Sequence, residues 1–246
     1  MNKVIKIRFD GTNYHGFQRQ ENAYTVQQAI EEAIFAITAE KTAFSGCSRT
    51  DTGVHAYEYY GMFSTDYDIP DGRIVSALNA HLPEDIAVLD AYTLNPDDDF
   101  HPRFSAKGKE YEYLVHNSRI RDPFLTNKAY HYYYGILDCD LLNKAAQDFV
   151  GTHDFAAFCS KGSNVTSTVR TIEYFNVTRD GDKIYFNVKA DGFLYNMVRI
   201  MVGTLIKIGG GYLAPDCIPQ ILKSCDRTKA GVTAVPCGLY LKKVFY

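Results

Sequence analysis

The sequence predicts an α+β protein built as two similar halves, residues 1–104 and 105–246, each mixing antiparallel strands with a few helices. Three observations lead there. Side chains alternate with a period of two in both halves, the pattern of strands with one buried face. Helices and strands do not keep a strict one-for-one alternation along the chain, so the β-α-β order of a doubly wound sheet is not sustained. The acidic turn Asn95-Pro-Asp-Asp-Asp99 then parts two strand-rich stretches.

The opening Val4-Ile-Lys-Ile-Arg-Phe9 reads as a strand. Thr25-Val-Gln-Gln28 has the spacing of a capping box, and Val26, Ala29, Ile30, Ala33, Ile34 and Ile37 follow it as one apolar helical stripe. A strand over 57–64, a short helix over 71–80 and a strand over 86–94 fill the first half. In the second, Lys109-Glu-Tyr-Glu-Tyr-Leu-Val115 alternates so that Lys109, Tyr111, Tyr113 and Val115 share a face. A helix is expected over 138–150, then strands over 169–178 and 183–190 joined at Asp180-Gly-Asp182, a hairpin turn signal. Ile184, Phe186 and Val188 should face a core. Residues 193–208 are apolar nearly all round and stop at Gly209-Gly-Gly211, which predicts a buried helix. A shorter helix over 215–225 and a strand over 239–245 complete the chain.

With 246 residues and 46% hydrophobic content the chain can bury a substantial core. No apolar run reaches the roughly 20 residues of a membrane span, and the N-terminus lacks a signal-peptide core. A cytoplasmic protein is expected. The six cysteines form no C-x-x-C pair, so a zinc or redox site is not indicated and they read as structural thiols. N-x-T sequons at Asn164 and Asn176 carry no meaning in that compartment. The net charge of -3 does not announce a nucleic-acid surface, but net charge is a poor guide to a local groove. Between His101 and His131, Arg103, Lys107, Lys109, Arg119, Arg121 and Lys128 outnumber Glu110, Glu112 and Asp122. That stretch could be a cationic binding face or simply a solvated one.

The stretch Gly46-Cys-Ser-Arg-Thr-Asp51-Thr-Gly-Val-His-Ala56 is dense in polar residues. Glycines there would let backbone approach a ligand closely. A loop aspartate by itself more often caps a turn than it catalyses. Arg199 stands out for the opposite reason. It interrupts an apolar helix, where an unmatched guanidinium would be costly. Gly209–Gly211 follows a helix and does not precede one, so it is no phosphate cradle.

Arg49-Thr-Asp51-x-Gly53-Val54-His55-Ala56 resembles the active-site signature of the tRNA pseudouridine synthase A (TruA) family. Three more segments match in order: Phe9-Asp-Gly-Thr-x-Tyr14-x-Gly16-Phe17-Gln18, Lys109-x-Tyr111-x-Tyr113, and Phe193-x-x-x-Met197-Val198-Arg199-x-x-x-Gly203. The likeness spans essentially the whole chain. It implies the pseudouridine synthase fold, with the halves joined around a central active-site cleft. It also implies isomerisation of uridine to pseudouridine in the anticodon stem-loop of tRNA, at tRNA positions 38, 39 and 40, without cofactor or metal. A homodimer is implied, with tRNA as its partner.

The same resemblance assigns roles. Asp51 would be the catalytic carboxylate, and whether it acts as nucleophile or base stays open. Arg199 would hold Asp51 ionised and oriented. Tyr111 would stack on the target base with its hydroxyl beside that carboxylate, leaving Tyr113 to the core. Arg49 would contact RNA where the uridine has flipped out, and Leu239, with Leu241, would line the uracil pocket. His55 is read as a structural, hydrogen-bonded residue. Two departures are visible: Phe17 stands where the family commonly has Trp, and Cys47-Ser48 replace the small residues usual before the arginine. A glycosidic hydrolase would need a second carboxylate, for which Glu58 is the candidate. A non-catalytic RNA-binding protein on the same scaffold is the other rival.

Overall fold

The computed structural model describes residues 1–162 and 165–246. In chain order the elements are β1 (Asn2–Phe9), α1 (Val26–Thr38), β2 (Ser45–Gly46), β3 (His55–Ser64), α2 (Asp71–Asn79), β4 (Ile86–Thr93), β5 (Gly108–Asn117), β6 (Tyr130–Tyr132) and α3 (Cys139–Ala146). They continue with β7 (Gly151–Asp154), β8 (Val169–Asp180), β9 (Lys183–Ala190), α4 (Met197–Gly209), α5 (Ile218–Ser224) and β10 (Leu239–Phe245). The class is α+β, as the sequence predicts. No helix among the described residues is long and apolar enough to cross a membrane. The Asn164 sequon lies outside the described residues, and Asn176 lies on β8.

Contacts gather the chain into two compact units, Met1–Lys107 with Tyr240–Tyr246, and Gly108–Leu239. In the first, β1 runs antiparallel between β3 and β4, with Ile5 opposite both Gly61 and Ala91. β10 adds to the free side of β3, Tyr240 facing His55 and Leu241 facing Ala56. That pairing is parallel, which a hairpin cannot make; the strand reaches β3 only after a long excursion of the chain. The expected halves put this strand with residues 105–246, whereas its pairing with β3 sets it in the first unit.

Local chemistry accounts for the pieces of this unit. Thr25 caps α1 by accepting the Gln28 N–H at 3.3 Å, worth about 1 kcal/mol. The Gln28 side chain donates onward to Glu32 at 2.9 Å instead of serving as the second arm of a capping box. Val26, Ala29, Ile30, Ala33 and Ile34 are buried as the spacing predicts, while Thr38 takes the last buried place in the stripe and Ile37 is only partly covered. Lys3 is buried on β1 with all three ammonium protons matched: Ile69 O at 2.9 Å, Asp71 Oδ1 at 2.8 Å and Thr93 Oγ1 at 2.6 Å. It thereby ties β1 to α2 and β4.

In the second unit β5 pairs with β9, β9 with β8 and β8 with β7, all antiparallel, and the short β6 pairs in parallel with β5. The β8–β9 hairpin turns at Gly181, whose φ of +54° suits glycine. Ile184, Phe186 and Val188 are fully buried, as their alternation predicts. The apolar helix is shorter than expected. Phe193, Leu194 and Tyr195 precede it, because Asn196 takes a left-handed φ of +61° and helical geometry starts at Met197. Along α4, Gly203 has a plain reason to be glycine: a Cβ there would lie 1.8 Å from Val232 O, so only glycine lets the 231–234 segment rest on the helix. Thr204 fastens the same segment, its hydroxyl donating to Ile200 O and accepting the Gly231 N–H at 2.9 Å.

Candidate active site

In the first unit Arg49 and Asp51 share the loop that leads from β2 into β3. Arg49 is exposed and Asp51 partly buried. The loop is held chiefly by main-chain groups. Phe17 N–H donates to Thr50 O at 3.1 Å, Gly53 N–H to Tyr14 O at 3.4 Å, and Val54 N–H back to Asp51 O at 3.1 Å. Two glycines of the Gly11-Thr-x-Tyr-x-Gly16 stretch make this approach possible. A Cβ on Gly11 would lie 1.9 Å from Val54 O, and one on Gly16 would lie 2.6 Å from Thr50 O. Gly16 also has a φ of +82° and Gly53 one of +76°, which L-residues seldom adopt. Thr50 Oγ1, beside Asp51, is buried without a hydrogen-bond partner among the described residues.

Side chains brace the loop from behind. Tyr14 donates a short hydrogen bond to Asp85, which also accepts from Asn13 Nδ2 at 3.1 Å. Burial, then that bond, pushes the Tyr14 hydroxyl far above its ordinary ionisation range, so it stays protonated. His55, 1% exposed, has Nδ1 at 3.0 Å from the Gly11 amide nitrogen and 2.9 Å from Asp10 Oδ1. Its ring stacks on Tyr240 at 4.6 Å, which stacks in turn on Tyr57. A histidine packed in this way joins β3, β10 and the turn after β1. Glu58 is engaged elsewhere, with Lys6 Nζ at 2.6 Å and the Val244 N–H at 3.4 Å, which raises the Lys6 pKa through the shared hydrogen bond.

Tyr111, Arg199 and Leu239 belong to the second unit. Tyr111 sits on β5 opposite Val188, 6% exposed, with Phe193 edge-on to its ring at 5.0 Å. Two positions on, Tyr113 is fully buried and donates to Val235 O at 2.7 Å. Arg199 donates from Nε to Ala234 O at 2.8 Å and from Nη1 to Asn196 Oδ1 at 2.7 Å, while Ala234 N–H returns a bond to Arg199 O at 3.0 Å. Asn196 is itself fixed by Ser160 Oγ at 2.9 Å. The Ala234–Leu239 segment is therefore a hub. It takes bonds from Tyr113 and Arg199, passes tightly against β5 at Gly238, where a Cβ would lie 2.6 Å from Leu114 O, and delivers Leu239 to β10.

Sequence reasoning missed Asn196 and Ala234 as partners of Arg199, and Tyr59 behind the Asp51 loop. Ala234 acts through a carbonyl, which no side-chain pattern discloses. Tyr59 left a signal in the alternation of Tyr57, Tyr59, Gly61 and Phe63, which puts the last three on the buried face.

Two α+β units, one bearing a carboxylate on a glycine-braced loop and the other a tyrosine and an arginine on regular elements, suit a family that the sequence comparison identifies. A family model described as tRNA pseudouridine synthase matches residues 5–105 and 145–246, and the chain belongs to that family. Curated relatives agree along its full length. A tRNA pseudouridine synthase A of Thermoanaerobacter sp. strain X514 is 46% identical, and one of Acetivibrio thermocellus 47%, each over 100% of this chain and 99% of the relative. A tRNA pseudouridine synthase A 2 of Clostridium perfringens is 42% identical over the same shares. A solved Cbf5–Nop10–Gar1 complex is matched at 12% identity and a TM-score of 0.39, over 97% of this chain and 57% of that one, too distant to bear on the fold. The protein is a tRNA pseudouridine synthase, and hence an isomerase.

Proposed function

We propose that the protein isomerises uridines in the anticodon stem-loop of tRNA, at tRNA positions 38, 39 and 40, with Asp51 as the catalytic carboxylate. The observation that carries the assignment to Asp51 is the loop itself. Left-handed glycines, glycines packed so closely on carbonyls that a Cβ would not fit, and a ladder of main-chain bonds all fix the backbone around this one residue. The reaction breaks the glycosidic bond at a ring nitrogen and re-forms it at a ring carbon. One C–H proton is lost as one N–H is gained, so the balance calls for no oxidant, metal or second substrate. A single carboxylate acting as nucleophile or base suffices.

The other roles follow the family likeness. Tyr111 stacks on the target base and presents its hydroxyl to the reaction. Arg199 keeps Asp51 ionised and aimed. Arg49 occupies the gap left by the flipped uridine, and Leu239 lines the uracil pocket. The enzyme works as a cytoplasmic homodimer on tRNA. Carbodiimide modification and primer extension on anticodon stem-loop substrates test the reading. Pseudouridine at those positions, with RNA mass unchanged, is expected; free uracil or abasic sites would show a hydrolase instead. For Arg199, chemical denaturation of Asp51→Asn, Arg199→Met and the double variant should give a coupling energy well above the roughly 0.5 kcal/mol scatter of independent sites. Additive effects would remove that role from Arg199.

A further inference from the structure

Behind the Asp51 loop a tyrosine hydroxyl is buried where the aromatic ring alone would serve the core. Tyr59 lies on β3 with no exposed surface, and a buried phenol needs hydrogen-bond partners. Its hydroxyl donates a short bond to Ser48 O and accepts the Ser48 N–H at 3.3 Å, so one oxygen holds both main-chain polar groups of a single loop residue. The ring stacks on Phe17 at 4.3 Å with an interplanar angle of 24°, and Phe9 meets it edge-on at 5.6 Å. Phe17 in turn uses its main-chain N–H to hold Thr50 O at 3.1 Å. The stacked pair therefore grips the loop at residues 48 and 50, on both sides of Arg49 and immediately before Asp51. Gly46 lets it close: a Cβ there would lie 2.0 Å from the Tyr59 hydroxyl and 2.5 Å from the Phe17 ring.

We propose that Tyr59 is a positioning residue for pseudouridine formation, forming with Phe17 an aromatic clamp that fixes the Ser48–Thr50 backbone and so sets the direction of the Asp51 carboxylate. The proposal rests on Asp51 being the catalytic carboxylate. Its energetic logic is that of near-attack geometry. A carboxylate displaced by about 1 Å forfeits up to about a hundredfold in rate, while phosphate contacts that supply RNA affinity are untouched. Removing the hydroxyl leaves the stacked ring in place, so its loss separates positioning from ring packing.

The test compares wild type, Tyr59→Phe, Gly46→Ala, their double variant and Asp51→Ala, all as full-length protein. Each is assayed for kcat and KM on a transcribed tRNA, and for the thermal unfolding midpoint. Tyr59→Phe should lower kcat about tenfold or more, with KM within about twofold and folded protein at the assay temperature undiminished. Gly46→Ala, which forces both rings off the loop, should act in the same direction, and the double variant should fall no further than the worse single, since both open one clamp. A wild-type kcat in Tyr59→Phe overturns the clamp, as does a loss accounted for by unfolded protein or carried by KM. Turnover by Asp51→Ala would instead overturn the reading on which the clamp rests. An inactive Asp51→Ala beside a fully active Tyr59→Phe would overturn the clamp alone. Should Gly46→Ala fail to fold, Tyr59→Phe decides.

Discussion

The two units hold their candidate site residues by different physical means. In the first, Asp51 stands on an irregular loop whose geometry comes from main-chain bonds to Thr50, Gly53 and Val54 and from glycines pressed against carbonyls. In the second, Tyr111 stands on a strand in register with β9, and Arg199 on a helix with its guanidinium pinned by Asn196 and Ala234. A loop can present a carboxylate in a direction no repeating element provides, but each of its constraints is local and separately breakable. A strand and a helix spread the load over many bonds. Changes around Asp51 should thus hurt rate out of proportion to stability, and changes around Tyr111 should divide the two.

Removing the carboxylate breaks the comparison most sharply. Asp51→Ala should lower pseudouridine formation by a factor on the order of 10⁴ or more while tRNA binding, measured by filter retention, changes only a few-fold. Measurable turnover would move catalysis to another residue. Tyr111→Phe keeps the ring against Phe193 and loses the hydroxyl; about a hundredfold fall in kcat with little change in KM is expected, and a wild-type rate would return Tyr111 to packing. Gly16→Ala probes the loop without touching a reacting group. At φ +82° with Thr50 O in the way, it should cost about 1–3 kcal/mol in denaturant unfolding and a larger share of activity than of folded protein.

Tyr113→Phe sharpens the contrast from the other side. Among the described residues its hydroxyl donates to the Val235 carbonyl alone, so about 1–3 kcal/mol of stability should go with kcat nearly unchanged. The mildest effect is alkaline. Burial, then the bond to Glu32, pushes Tyr24 up to about 12 from an ordinary 10.0, and burial together with Asp85 raises Tyr14 further still. A folded-state pKa above the unfolded one means the contribution is intact below pH 10 and is lost as pH climbs toward 12. Tyrosine absorbance titration should therefore show these two ionising late, with the unfolding midpoint falling over the same range.

Much of this was legible in the sequence where side chains decide structure. The β8–β9 hairpin, the stripe of α1 and the terminal strand followed from periodicity and turn chemistry, and the four ordered motifs pointed to the family. What escaped was set by backbone or by distant partners. β2, β6 and β7 are two to four residues long and exist because a neighbouring strand pairs with them. The start of α4 was misplaced because Phe193-Leu-Tyr195 is as apolar as the helix itself, while the break comes from the φ of Asn196. The clamp on the Asp51 loop was hidden for a related reason: a buried tyrosine and a buried phenylalanine look alike in a strand pattern until the hydroxyl's partner is known.

The parallel pairing of β10 with β3 has a consequence for biosynthesis. The Val244–Glu58 bond spans 186 positions, and Tyr240 and Leu241 close the edge of β3 beside His55 and Ala56. On the ribosome, the unit that carries Asp51 is begun first yet must wait for Tyr240–Tyr246, while Gly108–Leu239 is contiguous and has its strands in hand before those residues are made. Contacts of such long sequence separation are slow to form and leave a strand edge bare in the meantime. The loop bearing Asp51 therefore lacks the neighbouring strand until Gly108–Leu239 has been made, and a chain that stalls before Tyr240 carries the whole signature without the strand that pairs beside it.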